Sequence, residues 1–327
     1  MRKKVLGLAF IVGLLFSSVA GLLADYATAN PTVSLPQITI KSDGNLEPET
    51  EFIERNGNTY TLTENITRKY AIVVQCSNIM FDGAGYSIVG SLSYGGFSNI
   101  GLSLEGVRNV TVKNLAVMGF TGYAGISLSR CSECLILNVN TTWILDLGDS
   151  HFIRISDSYI GDTLSLGVNN QVTRSNIETI NLSNNSSVTE NNITTIIMFE
   201  SCSFNTIFSN NLDGKDNFIG SSETNFWDNG SVGNYWSDYT GVDSNGDGIG
   251  DTPYVVDAPY NIDNYPLMDP FTIQESQPSP TPSQGPQLGP KEETSVPLTL
   301  RAGVSAVSIA IAGVAGCLFY YHKKHRC

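Results

Sequence analysis

Between Asp243 and Asp251 the chain reads Asp-Ser-Asn-Gly-Asp-Gly-Ile-Gly-Asp, with side-chain oxygens at positions 1, 3, 5 and 9 and Gly248 at position 6. Hard oxygen donors at that spacing, with the carbonyl of Ile249 at position 7 and a glycine at the sharp turn, match the first nine places of a calcium loop. The twelfth place is Tyr254 rather than a bidentate Glu, so Asp257 or Asp263 from the following loop would have to close the shell. The expected metal set is therefore Asp243, Asn245, Asp247, Ile249 and Asp251. The expected ion is calcium in a structural role, folding a segment that is poor in regular structure.

Asp146, Asp149, His151, Arg154 and Asp162 form the densest cluster with catalytic residue types. Polysaccharide cleavage needs two positioned carboxylates, or calcium with a basic residue, on one outer face. Arg154 lies three residues before a turn residue, Asp157, and Arg174 two before Asn176, so pleating sends the two arginines to opposite faces. No catalytic set and no organic-cofactor set emerges from this pattern. Trp143, Trp227 and Trp236 could act as sugar-stacking planes, although packing at a domain end is the better expectation for Trp227 and Trp236. Of six cysteines, Cys76, Cys131, Cys134 and Cys202 lie outside the C-terminal apolar segment and tail. Cys131-x-x-Cys134 has no second such pair, which favours small buried thiols over a metal or disulfide framework.

The elements that position these groups are short and repeated. Asn114, Asn138, Asp157, Asn176, Asn192 and Asn211 each close a phrase of alternating apolar residues, at intervals of 24, 19, 19, 16 and 19. Alternation over so few residues predicts half-buried strands, and a period near twenty with one strand per repeat predicts a solenoid. The residues four before each anchor, Val110, Cys134, Ile153, Val172, Val188 and Ile207, form an expected core stripe. Those two before it run Val112, Ile136, Ile155, Arg174, Glu190 and Ser209, a column that turns polar and would bring Arg174 and Glu190 together. A dense leucine comb is absent. The expected fold is all-β, a right-handed single-stranded parallel β-helix, with the six Asn/Asp anchors stacked in one column at strand ends.

Composition divides the chain further. Arg2, Lys3 and Lys4 precede an apolar run over residues 5–24, and Ala27-Thr28-Ala29 offers a cleavage site, so residues 1–29 read as a signal peptide, or else as an uncleaved anchor. Residues 30–70, with a strand near 59–63, are expected to cap the first coil; 71–214 hold the coils; 215–273 form a C-terminal cap with the calcium-type loop. Residues 274–297 are rich in Pro, Ser and Gln and read as a stalk. Residues 298–321 read as a transmembrane helix, and the basic residues in 322–327 keep that end cytoplasmic. Residues 25–300 hold 11 of the 18 basic residues and all 31 acidic ones, a formal charge of −20. That balance speaks against nucleic acid as a partner. Asn-x-Ser/Thr sequons occur at Asn65, Asn109, Asn140, Asn181, Asn184, Asn185, Asn192 and Asn229. Asn65 and Asn229 lie outside the ladder and are the better glycan candidates, whereas Asn192 is itself an anchor.

The stretch from Asn225 to Met268, with Gly233-Asn-Tyr-Trp-Ser-Asp-Tyr239, Asp251-Thr-Pro-Tyr254 and Asp263-Asn-Tyr-Pro-Leu-Met268, resembles the terminal block of archaeal surface proteins with NosD-type parallel β-helices. Coil phrases such as Asn109-Val-Thr-Val-Lys-Asn114 are similar to the same family, and the likeness spans roughly residues 35–270. It implies a surface module of a family described among carbohydrate-binding proteins and sugar hydrolases. The bacterial namesake is tied to copper delivery, but between the two terminal segments this chain has one histidine, His151, and scattered Met80, Met118, Met198 and Met268, so that role does not carry over. The expected function is a membrane-anchored extracellular module binding cell-envelope glycans or surface-layer proteins, without catalysis. The alternative is a lyase or hydrolase of acidic surface polymers.

Overall fold

The computed structural model describes residues 37–273, save 69–71, 91–99, 121, 199–201, 215–217, 220–222, 258 and 260. The expected signal peptide, stalk, transmembrane helix and tail lie outside the described residues. Among the described residues there is no helix, and 23 strands join one curled sheet in which parallel pairing predominates. This architecture is all-β and compatible with a solenoid.

Three stacks of parallel strands account for nearly all of it. The first runs Ile38–Ile40, Ile72–Val74, Leu102–Glu105, Ile126–Ser129 and Leu145–Asp146, then the C-terminal parts of Tyr159–Ser165, Asn176–Leu182 and Asn192–Met198. The second runs Thr59–Leu62, Met80–Asp82, the starts of Thr111–Met118 and Leu135–Thr141, then Arg154–Ser156, Gln171–Thr173, Ser187–Thr189 and Thr206–Phe208. The third joins Ile66–Arg68, Ser87–Gly90, the ends of Thr111–Met118 and Leu135–Thr141, the starts of the three long strands of the first stack, Asn211–Leu212 and Tyr235–Trp236. Each rung thus takes one strand from each stack, and alternation points one residue in two at a shared interior. Phe81, Val112, Ile136, Ile155, Val172, Val188 and Ile207 align in the second stack, all at most 1% exposed. Cys131, Cys134 and Cys202 are free and buried, as expected of space-filling thiols, whereas Cys76, also free, is only partly buried.

Rungs begin earlier than the sequence reading sets them. Strands at 38–40, 59–62 and 66–68, within the expected cap, already pair in parallel with the next rung. Closure of that end falls instead to two antiparallel additions, Leu46–Glu47 on Ile38–Ile40 and Ile53–Asn56 on Thr59–Leu62. They occupy edge hydrogen-bonding groups that would otherwise template association.

The anchor column also needs correction. Ile155, two before Asp157, is opposite Val172, four before Asn176, so the expected register slips by two residues at the fourth anchor. Asn114, Asn138 and Asp157 continue into Arg174, Glu190 and Ser209, not into Asn176, Asn192 and Asn211. All six of the true column have positive φ, between 47° and 61°. A left-handed residue turns the chain between the second and third stacks, and at that conformation the side chain leaves the interior. Arg174 therefore lies outside the core. It donates to both carboxylate oxygens of Asp157 at 2.8 and 3.1 Å, and its guanidinium is 3.9 Å from Glu190. Asn176, Asn192 and Asn211 form a separate exterior column with Tyr159 and Tyr235, joined by amide hydrogen bonds of 2.6 and 2.7 Å.

The interior amides are the neighbours of the expected anchors. Directly after the left-handed corners at Asp157, Arg174, Glu190 and Ser209 the next residue turns inward, giving Ser158, Ser175, Asn191 and Asn210 at the entry to the third stack, and Asn234 extends the series. Ser175 N–H donates to Asn191 Oδ1, Asn191 N–H to Asn210 Oδ1 and Asn210 N–H to Asn234 Oδ1, at 3.0, 3.0 and 3.2 Å. Asn210 Nδ2 also donates to the carbonyls of Val188 and Phe208. A second interior ladder, Asn170, Ser186, Asn205 and Asn225, does the same at the entry to the second stack. Corners break the sheet ladder, and these side chains supply the partners that buried backbone groups require.

Adjacent residues should thus differ sharply in substitution. Asn191→Ala leaves a buried N–H and two carbonyls unpaired and is expected to cost roughly 3 kcal/mol or more, whereas exposed Asn192→Ala costs under about 1. Denaturant unfolding of the two variants measures this directly, and equal costs overturn the register. At the exterior corner, Glu190→Ala is expected to cost less than about 1 kcal/mol, because the pair is long and solvent-exposed.

Candidate functional site

Outward residues of the first stack form a polar row. Ser103, Ser127, Asp146, Ser165 and Asn181 follow one another across successive rungs, about 4.8 Å apart. Turn residues after each strand rise beside the row and enclose a groove of about 670 Å³, whose lining includes Asp146, Asp149, His151, Asn169, Asn181 and Asn184. Gly148 and Gly167 keep the turns close against the floor; at Gly167 an added Cβ would approach the carbonyl oxygen of Gly148 at 2.8 Å.

Each acid in the groove is held by the fold. Asp146 Oδ1 accepts from Gly148 N–H at 3.1 Å and Oδ2 from the Tyr123 hydroxyl at 2.5 Å, a bond that raises the tyrosine above its ordinary range. Asp149 Oδ1 accepts from Arg130 N–H at 2.7 Å. His151 packs edge-on against Phe152, which is 55% exposed. Asn181 differs from these. Its Oδ1 is buried and has no hydrogen-bond partner, the one such side-chain atom among the described residues. An orphaned buried acceptor costs on the order of 1–3 kcal/mol.

The expected cluster is thereby divided. Asp146, Asp149 and His151 share the groove, whereas Arg154 faces outward from the second stack beside Leu135 and Gln171. Asp162 sits at a register irregularity in Tyr159–Ser165 and accepts from the Thr163 hydroxyl at 2.8 Å. Asn181 was missed as a site residue, because its sequon drew attention to glycosylation and nothing in the sequence marks an oxygen that folding leaves unpaired.

The expected calcium loop is a tight exposed turn. Asp243 accepts from the N–H groups of Gly246 and Gly248 at 2.7 and 2.8 Å; the Gly248 bond is the largest influence on its carboxyl, which is held below the usual range. Asn245 Nδ2 donates to Asp247 Oδ2, and Asp251 Oδ2 accepts from Ser244 N–H. Hydrogen bonds from Met268 N–H to the Gly248 carbonyl and from Gly250 N–H to the Pro266 carbonyl tie the turn to the last described segment. Among the described residues no three His, Cys, Asp or Glu side chains gather as a metal-binding group.

Asp263, considered for the ion's shell, is elsewhere. It is fully buried at the end of the Asn191–Asn210–Asn234 ladder, accepting from Asn234 N–H at 2.7 Å, Trp236 Nε1 at 2.9 Å and Tyr265 N–H at 3.1 Å. Two residues away, Asn261 ends the other ladder, accepting from Asn225 N–H and Trp227 Nε1. One short strand, Asn261–Asp263, therefore closes both ladders. Trp227 and Trp236 are 1% and 2% exposed, so they pack and hydrogen-bond at this end and present no face to a sugar. Trp143 is half-buried, its Nε1 donating to the Gly122 carbonyl. A Cβ at Gly233 would overlap Asp263 Oδ1, which explains the glycine there.

Comparison with protein-family models, with curated proteins and with solved structures gives no match.

Burial pushes the Asp263 carboxyl up to about 6, against the pull of its N–H donors. Its folded value exceeds the ordinary 3.8, so the folded state holds the proton more tightly, and stability from this group falls as pH rises from about 4 through 6. The difference in unfolding free energy between wild type and Asp263→Asn should therefore shrink by about 2–3 kcal/mol from pH 4 to pH 7. A pH-independent difference refutes this assignment. Gly233→Ala is expected to prevent stable folding of the C-terminal rung, read by proteolysis.

Proposed function

We propose that this chain is a right-handed, single-stranded parallel β-helix of the NosD-type surface class, exported and anchored through residues 298–321, that binds envelope glycans along the Asp146–Asn181 groove without cleaving them. The observation that carries this reading is the groove of about 670 Å³ in which Asp146, Ser165 and Asn181 stand at strand spacing beside the apolar Leu166, Val168 and Leu182. A sugar carries hydroxyls that both donate and accept beside apolar C–H faces, so it can bond to Ser165 or Asn184 while packing on those side chains. The formal charge of −20 over residues 25–300 disfavours anionic polymers unless cations bridge them. No helix of the described residues is long and apolar enough to cross a membrane; the proposed anchor is not among them.

Calcium is proposed as a structural ion held by Asp243, Asn245, Asp247, Asp251 and the Ile249 carbonyl. Their hard oxygen chemistry supports it, and the bound ion would offset the repulsion of three carboxylates in one turn. A lyase or hydrolase acting on acidic surface polymers is the second reading, favoured by Asp146, Asp149 and His151 sharing one groove.

Calorimetry with a panel of envelope polysaccharides is expected to give binding that Asn181→Ala weakens at least tenfold without lowering the melting temperature. Binding untouched by that substitution removes the groove reading. Release of oligosaccharides by wild type, lost in Asp149→Ala, would establish the enzymatic alternative. Calcium titration should raise the melting temperature and chelator should lower it; no change with either eliminates the ion.

A further inference from the structure

Eight sequons are chemically alike in sequence but not in the fold. N-glycosylation joins the anomeric carbon of a lipid-linked oligosaccharide phosphate to Asn Nδ2. The carbon–oxygen bond to phosphate breaks, the lipid phosphate leaves, and Nδ2 gives up one proton. The product keeps one N–H and is compatible with the folded chain where Nδ2 has open space for the sugar, and where the hydroxyl two residues on is not consumed by the core.

We propose that Asn65, Asn140, Asn185 and Asn229 are the glycan-bearing sites and that Asn109, Asn181, Asn184 and Asn192 are barred. This assignment rests on the exported reading above. All four of the first group are exposed. Asn65 and Asn229 engage only Oδ1, with Ser87 N–H and with the Ser231–Val232 turn respectively. Ser231 Oγ donates to Asn229 Oδ1 at 3.0 Å, so the sequon hydroxyl already meets the amide it must assist. Asn140 points outward at the head of the exterior column, between the small Ala116 and Tyr159 and with no neighbouring amide, and Thr142 is exposed two residues on. Asn185 stands at a left-handed corner, φ 57°, where its side chain projects away from the rung.

In the second group the fold has spent the necessary atoms. Asn109 Nδ2 donates to Asn78 Oδ1 at 3.0 Å, and Asn192 Nδ2 to Asn176 Oδ1 at 2.6 Å. Asn192 is flanked by Asn176 and Asn211 on both sides. Rungs about 4.8 Å apart leave no space for a sugar between those amides. The hydroxyl belonging to the Asn184 sequon is Ser186 Oγ, buried and donating to the Gly167 carbonyl at 3.0 Å. Asn181 has its carboxamide oxygen buried on the groove floor. A glycan would displace groups buried in the core or groove at Asn184 and Asn181, and would crowd the neighbouring amide at Asn109 and Asn192.

The full chain expressed in a secreting host that glycosylates Asn-x-Ser/Thr tests the assignment, with occupancy mapped by peptide mass spectrometry after enzymatic glycan release in heavy-oxygen water. Glycan is expected on Asn65, Asn140, Asn185 and Asn229 and on no other sequon. Thr142→Ala and Ser231→Ala should each remove one glycan mass and leave melting unchanged. Glycan on Asn109 or Asn192 of folded protein, or exported protein bare at the four favoured sites, overturns the assignment while the exported reading stands. Protein retained inside the cell with all eight sequons bare overturns both.

Discussion

Everything in this fold depends on how a corner can be buried. A chain that coils around its own interior must bend between flat strands, and each bend takes a few backbone groups out of the parallel ladder. Left unpaired, each such group costs on the order of 1–3 kcal/mol, and a dozen of them would exceed the stability of an ordinary domain. Asn solves this locally, because its amide carries a donor and an acceptor on a short arm. Asn191 and Asn210 each accept one backbone N–H from the preceding rung and donate to carbonyls both there and in their own rung. The ladders hold the rungs in register as well as satisfying them.

A ladder of donors and acceptors must end, and its last amide cannot be answered by another rung. Asn261 and Asp263 perform that function from one strand, and the two buried indoles bring their N–H groups to the same two residues. Trp236 in turn stacks on Tyr254 at a centroid distance of 4.2 Å. The dense terminal block is therefore largely a polar and aromatic stopper. The acidic turn at 243–251 is fastened to its outer side through residues 266–268. Closure of the two ladders accounts for Asn225, Trp227, Asn234, Trp236, Asn261 and Asp263.

Because satisfaction and packing are settled inside, the exterior rows are free to vary in chemistry. One row turns polar and forms the groove ending at Asn181; another carries the Asn176–Asn192–Asn211 column, which accepts Phe271 N–H at its end. A third, at the exterior corner, carries Asp157, Arg174 and Glu190. A periodic scaffold presents these rows at strand spacing.

Read without coordinates, the chain disclosed its period, its strands, its all-β class and the burial of its thiols, because alternation and spacing are local properties. It did not disclose which polar column faces inward. Asn191 and Asn192, or Asn210 and Asn211, are neighbours of the same type, and only the left-handed corner at Glu190 or Ser209 decides that the first turns in and the second out. The interval of 19 between Asp157 and Asn176 repeated the 19 before it although the rung there is 17 residues long, so spacing concealed the slip of two. Arg174 and Glu190 likewise could be seen to meet, but not that they meet outside the core, with Arg174 bonded to Asp157 as well. The orphaned oxygen of Asn181 and the burial of Asp263 depend on which rungs lie above and below, and contacts between residues sixteen to forty positions apart are made only when the whole coil closes.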